Sequence, residues 1–132
     1  MTHTPRVSLE PAWILHQHPY RDSSLLLEVF SQEYGRVGLI ARGARAARSR
    51  WQSQLQILRP LTLSWNLRGE LGTLTGAEPR GRVVMYPGRQ VLCACYLNEL
   101  LLRLITRLDP HPELFSAYEQ AIDALGDNEE QA

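Results

Sequence analysis

The sequence predicts a mainly β fold with a C-terminal α part: a small five-stranded barrel or sandwich followed by two helices. Two periodicities and the turns between them carry this. Over residues 1–85 apolar residues recur with a period near two, and after "YPGRQ" the period becomes 3.6. Turn signals separate the short alternating runs. The expected division is therefore 1–85 for the β part and 86–132 for the helical part.

"AWILHQH" (12–18) and "SLLLEVF" (24–30) read as the first two strands, with turn residues from Pro19 to Asp22 between them. A turn from Glu33 to Gly35 leads into a third strand, 37–41. There Val37, Leu39 and Ala41 face one way, and Arg36, Gly38, Ile40 and Arg42 face the other. A longer connection, 43–56, precedes the clearest alternation, in which Leu61, Leu63, Trp65 and Leu67 interleave with Thr62, Ser64, Asn66 and Arg68. Gly69 marks the turn into "LGTLTGAE" (71–78), and five short strands suit a small closed or layered sheet.

In the helical part Leu97, Leu101, Leu104 and Leu108 line a first helix whose polar stripe is Glu99, Arg103, Thr106 and Arg107. A second helix, 113–125, gathers Leu114, Phe115, Tyr118, Ala121, Ile122 and Leu125 on one face, with Pro112 suited to its first turn. "GDNEEQA" reads as a frayed tail. The apolar arc of the first helix is wider than one following helix can cover. It predicts either self-association or a bundle that continues past residue 132.

At 132 residues the chain holds one domain, or one domain plus part of another. "MTHTPRVSLEP" contains no apolar signal-peptide core, and no apolar run approaches the ~18 residues of a membrane span. Cys93 and Cys95 lie too close together for a structural disulfide framework, which fits a reducing cytoplasm. They also point about 200° apart round a helix, so they do not converge on a metal. His16 and His18 share a strand face but lack further ligands, so neither a metal nor another cofactor is expected. No nucleophile elbow, phosphate-cradling glycine loop or paired-carboxylate pattern is present, which argues against an enzyme.

Zero formal net charge conceals a division. Residues 1–90 carry twelve arginines against six acids, a net of +6, and residues 91–132 carry two against eight, a net of −6. Five of the arginines, Arg36, Arg42, Arg45, Arg48 and Arg50, fall within fifteen positions that contain no acid. Like charges held together repel, which costs stability unless an anion is regularly present. A phosphate backbone is the commonest anion to span such a distance. Trp51, directly after the run, could offer a face to an unpaired base, although a loop tryptophan more often packs down on the barrel. For the run itself the alternative is a solvated loop.

"HPYRDSSLLLEVFSQEYGRVGLIARGARAARSR" resembles the N-terminal domain of the RecO family of bacterial recombination mediators. "LTLSWNLRGELGTLTGAE" is similar to that domain's fourth and fifth strands. "YLNELLLRLI" and "PELFSAYEQAIDAL" are similar to the first helices of its second domain. The resemblance implies an oligonucleotide-binding (OB) fold for 1–85 and the beginning of a helical domain for 86–132. It implies binding to single- and double-stranded DNA, annealing of complementary strands, and cooperation with RecR in loading RecA onto DNA coated by single-stranded DNA-binding protein. It also implies a cytoplasmic, nucleoid-associated location. The family's DNA-contacting strand and loop correspond to Arg36, Arg42, Arg45, Arg48 and Arg50, with Arg21 and Arg68 as bordering candidates. Family members run to roughly twice this length, often with a zinc-binding cysteine cluster. The chain thus stops inside the second domain, where docking of the acidic tail of single-stranded DNA-binding protein is expected. The alternative function is an OB protein-interaction module whose arginines bind acidic partner segments.

Overall fold

The structure is a computed structural model and describes residues 6–51, 53–81 and 86–126. The expectation for the tail falls, from Asp127 onward, outside the described residues. Five strands close a barrel in the order β1-β2-β3-β5-β4: β1 (Arg6–Tyr20), β2 (Ser24–Ser31), β3 (Gly35–Ala41), β4 (Leu61–Arg68) and β5 (Leu71–Pro79). All neighbours are antiparallel except β3 and β5, whose parallel seam is three residue pairs long. This is an OB-like barrel followed by two helices, α1 (Gly88–Leu104) and α2 (Pro112–Leu125).

β1 is much longer than its alternation suggests, because it serves two partners. Residues 6–12 pair with β4 and residues 12–20 with β2. Register shifts between Val7 and Glu10 and between Ile14 and His16 bend the strand from one partner to the other. Val37, Leu39, Ala41, Leu61, Leu63 and Trp65 fill the barrel, as the alternation predicts. The 42–60 connection is not a free loop. Ala44, Trp51 and Leu55 turn down into the barrel core, and Leu58 joins a second core outside it.

That second core lies between the outer face of β1–β2 and the helices. Trp13, Leu15 and Phe30 meet Ala94, Leu101, Ile105, Phe115, Tyr118 and Ile122. Edge-on aromatic pairs link Phe30 to Phe115 and Trp13 to Tyr118. Inside it the Tyr118 hydroxyl donates to Asn98 Oδ1 (2.6 Å), and Asn98 Nδ2 donates to the Leu15 carbonyl (3.3 Å). The buried amide is thereby satisfied and ties both helices to β1. Burial pushes the Tyr118 hydroxyl well above the usual phenol range, so it stays a donor.

The buried stripe of α1 corrects the sequence expectation. It runs through Ala94, Asn98 and Leu101, continuing to Ile105, while Leu97 is only half-buried and Leu104 is 76 % exposed. Leucines surround this helix, so composition hides which face is inward. The helix also ends at Leu104, and Thr106, Arg107 and Leu108 lie in the connection to α2 rather than on the helix. Leu92, Tyr96 and Leu104 remain exposed. A groove of about 490 Å³ lined by Leu92, Cys93, Tyr96, Leu97, Ala121 and Leu125 separates α1 from α2.

Candidate nucleic-acid interface

The outer face of β2–β3 is divided between two uses of arginine. On the half nearer the helices, Glu28 is buried and receives two guanidinium groups. Arg36 Nε lies 3.0 Å from its Oε1, and Arg107 Nη2 lies 2.5 Å from its Oε2. Burial pushes the Glu28 carboxyl up, but hydrogen bonds from Arg107 and Arg36 and their charges outweigh it. The net result is a pKa below the ordinary glutamate value. Arg36 Nη1 also donates to the Leu102 and Ile105 carbonyls, at 2.7 and 2.9 Å. A cation from the sheet thus satisfies carbonyls that the end of α1 leaves unpaired.

The α1–α2 connection lies directly on β3: Leu108 N donates to the Arg36 carbonyl, and Arg36 and Arg107 form an isolated parallel bridge. Two glycines make that approach possible. Gly35 has φ +73°, and a Cβ there would run into the Asp109 backbone. A Cβ on Gly38 would come within 2.9 Å of the Arg107 guanidinium carbon. Arg36 thus differs from the rest of the expected DNA-contacting set, because its Nε and Nη1 donors are engaged by Glu28 and two carbonyls inside the fold.

The other half carries the rest of the run. Arg42, Arg45, Arg48 and Arg50 are all exposed on a loop whose apolar residues anchor it to the barrel mouth. Arg45 Nε and Nη2 donate to the carbonyls of Ser24, Arg21 and Asp22 at 2.8–2.9 Å, lashing the loop to the β1–β2 turn. Arg50 Nη2 donates to the Thr75 carbonyl on β5 (2.6 Å), and its guanidinium lies 4.2 Å above the Trp51 ring. Arg42 and Arg48 make no side-chain hydrogen bond or ion pair among the described residues. Arg21 sits exposed at the hairpin tip, its guanidinium 5.1 Å from the Tyr20 ring centre. The side chain of Arg68 lies outside the described part of the molecule.

Trp51 takes the packing alternative and not the stacking one. It is 5 % exposed with its indole in the barrel core, so in this conformation it cannot stack a base. Ala44, Trp51 and Leu55 are the apolar residues of an otherwise polar and basic stretch, and they are the signal that the loop has an inside and an outside. Arg107 and Glu28 were not singled out in the run, since an ion triad formed across 79 residues leaves no local spacing to read. His16 and His18 stack with ring centres 5.4 Å apart, and among the described residues no group of three potential ligands gathers for a metal.

Comparison with known proteins agrees with this architecture. Residues 7–82 match the family described as recombination protein O N terminal, and residues 88–132 match recombination protein O C terminal. A DNA repair protein RecO of Nitrosococcus oceani is 52 % identical over 120 residues, covering 91 % of this chain and 49 % of the relative. Those of Aromatoleum aromaticum and Chromobacterium violaceum are 44 % and 46 % identical, over 96 % and 95 % of this chain and 53 % and 51 % of theirs. The chain spans about half the length of the curated relatives it matches.

Proposed function

Because this chain belongs to the RecO family of DNA repair proteins, we propose that it is a non-enzymatic DNA-binding module of a recombination mediator. The observation that carries the proposal is the preorganised cluster of Arg21, Arg42, Arg45, Arg48 and Arg50 at one end of the barrel. Among the described residues none of them is paired with a carboxylate. Arg42 and Arg48 present unengaged guanidinium groups to phosphates. Arg45 and Arg50 add positive charge while fixing the loop, and Arg21 extends the patch to the hairpin tip. Arg68 borders the patch in sequence, one residue before the β4–β5 turn.

Such a patch recognises the charge of the backbone and reads no base edge. It therefore takes single and double strands without sequence preference. By neutralising phosphates it also lowers the repulsion between two complementary strands, which is the physical requirement for annealing. In the full mediator reaction the module cooperates with RecR to load RecA onto DNA covered by single-stranded DNA-binding protein. The helical part supplies the side on which that protein and the remainder of the mediator dock. No helix among the described residues is long and apolar enough to cross a membrane, and a cytoplasmic, nucleoid-associated location fits the role.

Titrating the chain with DNA at several salt concentrations tests the proposal. Log K should fall by about 0.7 to 0.9 per tenfold rise in salt for each phosphate contacted. An acidic peptide of matched charge should compete poorly. A flat salt response, or tighter binding to the peptide than to DNA, would overturn the reading in favour of a protein-interaction module.

A further inference from the structure

The junction between barrel and helices holds more positive charge than it matches. A pocket of about 470 Å³ opens between the end of α1, the α1–α2 connection and the β4–β5 turn, and Arg36, Arg103 and Arg107 all line it. Glu28 pairs with Arg36 and Arg107, and Glu70 lines the pocket from the turn, so three guanidinium groups meet two carboxylates. Glu99 lies 3.8 Å from Arg103, but that pair is exposed and screened by solvent. Arg36 and Arg107 stand side by side, since both bind the same Glu28 carboxylate. Their side chains are 20 % and 27 % exposed. Among the described residues neither Arg36 Nη2 nor Arg107 Nη1 donates a hydrogen bond. The negative end of α1 is no obstacle to an anion here, because Arg36 Nη1 already holds the Leu102 and Ile105 carbonyls. Thr106 adds a hydroxyl to the same wall.

Two guanidinium groups held together by one carboxylate leave a half-buried positive charge, which costs stability unless an anion completes it. We propose that this pocket binds a compact phosphate group, either inorganic phosphate or the terminal phosphate of a nucleic-acid strand. The three cations come from β3, α1 and the connection, so they approach from different directions. That arrangement suits the oxygens of a tetrahedral group better than a planar carboxylate, which one arginine fork satisfies edge-on. A phosphate monoester carries about −1.5 to −2 charge at neutral pH. A phosphate within the backbone carries less and has a sugar on both sides. No residue of the arginine loop lines the pocket, and the site does not depend on that loop binding DNA.

Equilibrium dialysis with radiolabelled inorganic phosphate, at constant ionic strength set with sodium chloride, tests the site. The parent chain should retain about one phosphate. Arg103→Ala/Thr106→Val should weaken that binding roughly 3- to 30-fold, through one lost charged donor and one lost hydroxyl. Both residues are exposed, so thermal melting without phosphate should show the fold intact. Glu70→Gln removes a repelling carboxylate and should tighten binding roughly 2- to 5-fold. A second arm offers one oligonucleotide with and without a 5′-phosphate. If strand ends are the source, the 5′-phosphate should raise affinity for the parent and not for Arg103→Ala/Thr106→Val. The unphosphorylated strand should bind both alike. A gain confined to inorganic phosphate supports the site and assigns it to the free anion. If the parent retains no phosphate and gains nothing from the 5′-phosphate, or if Arg103→Ala/Thr106→Val matches the parent in both arms, the pocket is overturned. It is also overturned if every phosphate effect is lost in Arg42→Ala/Arg48→Ala and kept in Arg103→Ala/Thr106→Val, because the loop is then the site.

Discussion

Arg36 and Arg42 lie six residues apart in one basic run, and the fold puts them to opposite uses. Arg36 is roofed by the α1–α2 connection, ion-paired to Glu28 and hydrogen-bonded to two carbonyls of the α1 terminus. Arg42 stands in solvent beyond the end of β3, with no ion pair among the described residues. The difference is what covers the sheet. Where helices lie on the outer face, an arginine must be matched by an acid and carbonyls, since an unmatched buried charge is costly. Where the face is open, the charge is solvated and available. Positive charge in this chain therefore stands in two settings, one joining helices to barrel and one left open to solvent, the part proposed to meet phosphates.

The largest effect should come from breaking the covered half sterically. Gly35→Val places a branched side chain at φ +73° against the Asp109 backbone, and should destabilise the fold by about 3–5 kcal/mol in urea unfolding. A loss under 1 kcal/mol would mean the connection does not need to lie on β3. Glu28→Gln leaves Arg36 and Arg107 unmatched and should cost about 2–3 kcal/mol. This is below the usual loss for a fully buried pair, because both arginines are partly solvated. A melting temperature equal to the parent's would show that the triad adds no stability.

The same carboxylate sets a pH dependence. Its folded pKa lies below its unfolded value, so its contribution is present above the ordinary glutamate range and is lost as pH falls through the lower folded value. Glu10 works in the opposite sense. Desolvation raises its pKa despite the hydrogen bond from Glu33 N (2.6 Å), so its share of stability falls as pH rises through the glutamate range. Subtracting the pH–stability curve of Glu28→Gln from that of the parent should isolate the acid loss. A flat difference below pH 5 would contradict the triad's role.

The smallest effect on stability belongs to the uncovered helix face. Leu92 and Leu104 are 73 % and 76 % exposed, so Leu92→Asp/Leu104→Asp should change stability by no more than about 1 kcal/mol. The parent should bind a hydrophobic dye or self-associate at micromolar concentration, and the double variant should do neither. A parent that sediments as a clean monomer without dye binding would count against an adhesive face.

The barrel was legible because burial on one side of a strand writes a period of two into the sequence. Val37, Leu39 and Ala41, and then Leu61, Leu63 and Trp65, face inward as their alternation requires. The length of β1 was not legible, since "RVSLEPA" does not alternate cleanly and the register shifts at Val7/Glu10 and Ile14/His16 break any fixed period. The arginine loop could be found from its charge, but not the separation of Arg36 from its neighbours. That separation depends on Glu28 and Arg107, which only the closed fold brings together. The inward face of α1 was misread for a related reason: with leucines around the helix, the buried Asn98 and its bond from Tyr118 fix the orientation.

The most direct measurement compares two charge-matched double variants in DNA titrations across salt. Arg42→Ala/Arg48→Ala removes the two unengaged loop guanidinium groups, and Arg89→Ala/Arg103→Ala removes two exposed charges from α1. Arg107 is unsuited to the control because it holds Glu28. Removing the loop pair should lower affinity on all sequences alike and reduce the salt slope by about 1.4 to 1.8 for two lost phosphate contacts, with the melting temperature unchanged. The helix pair should leave binding near the parent's. Equal weakening by both variants would mean that the arginines act through net charge alone, and would contradict the assignment of the open half of the barrel as the DNA surface.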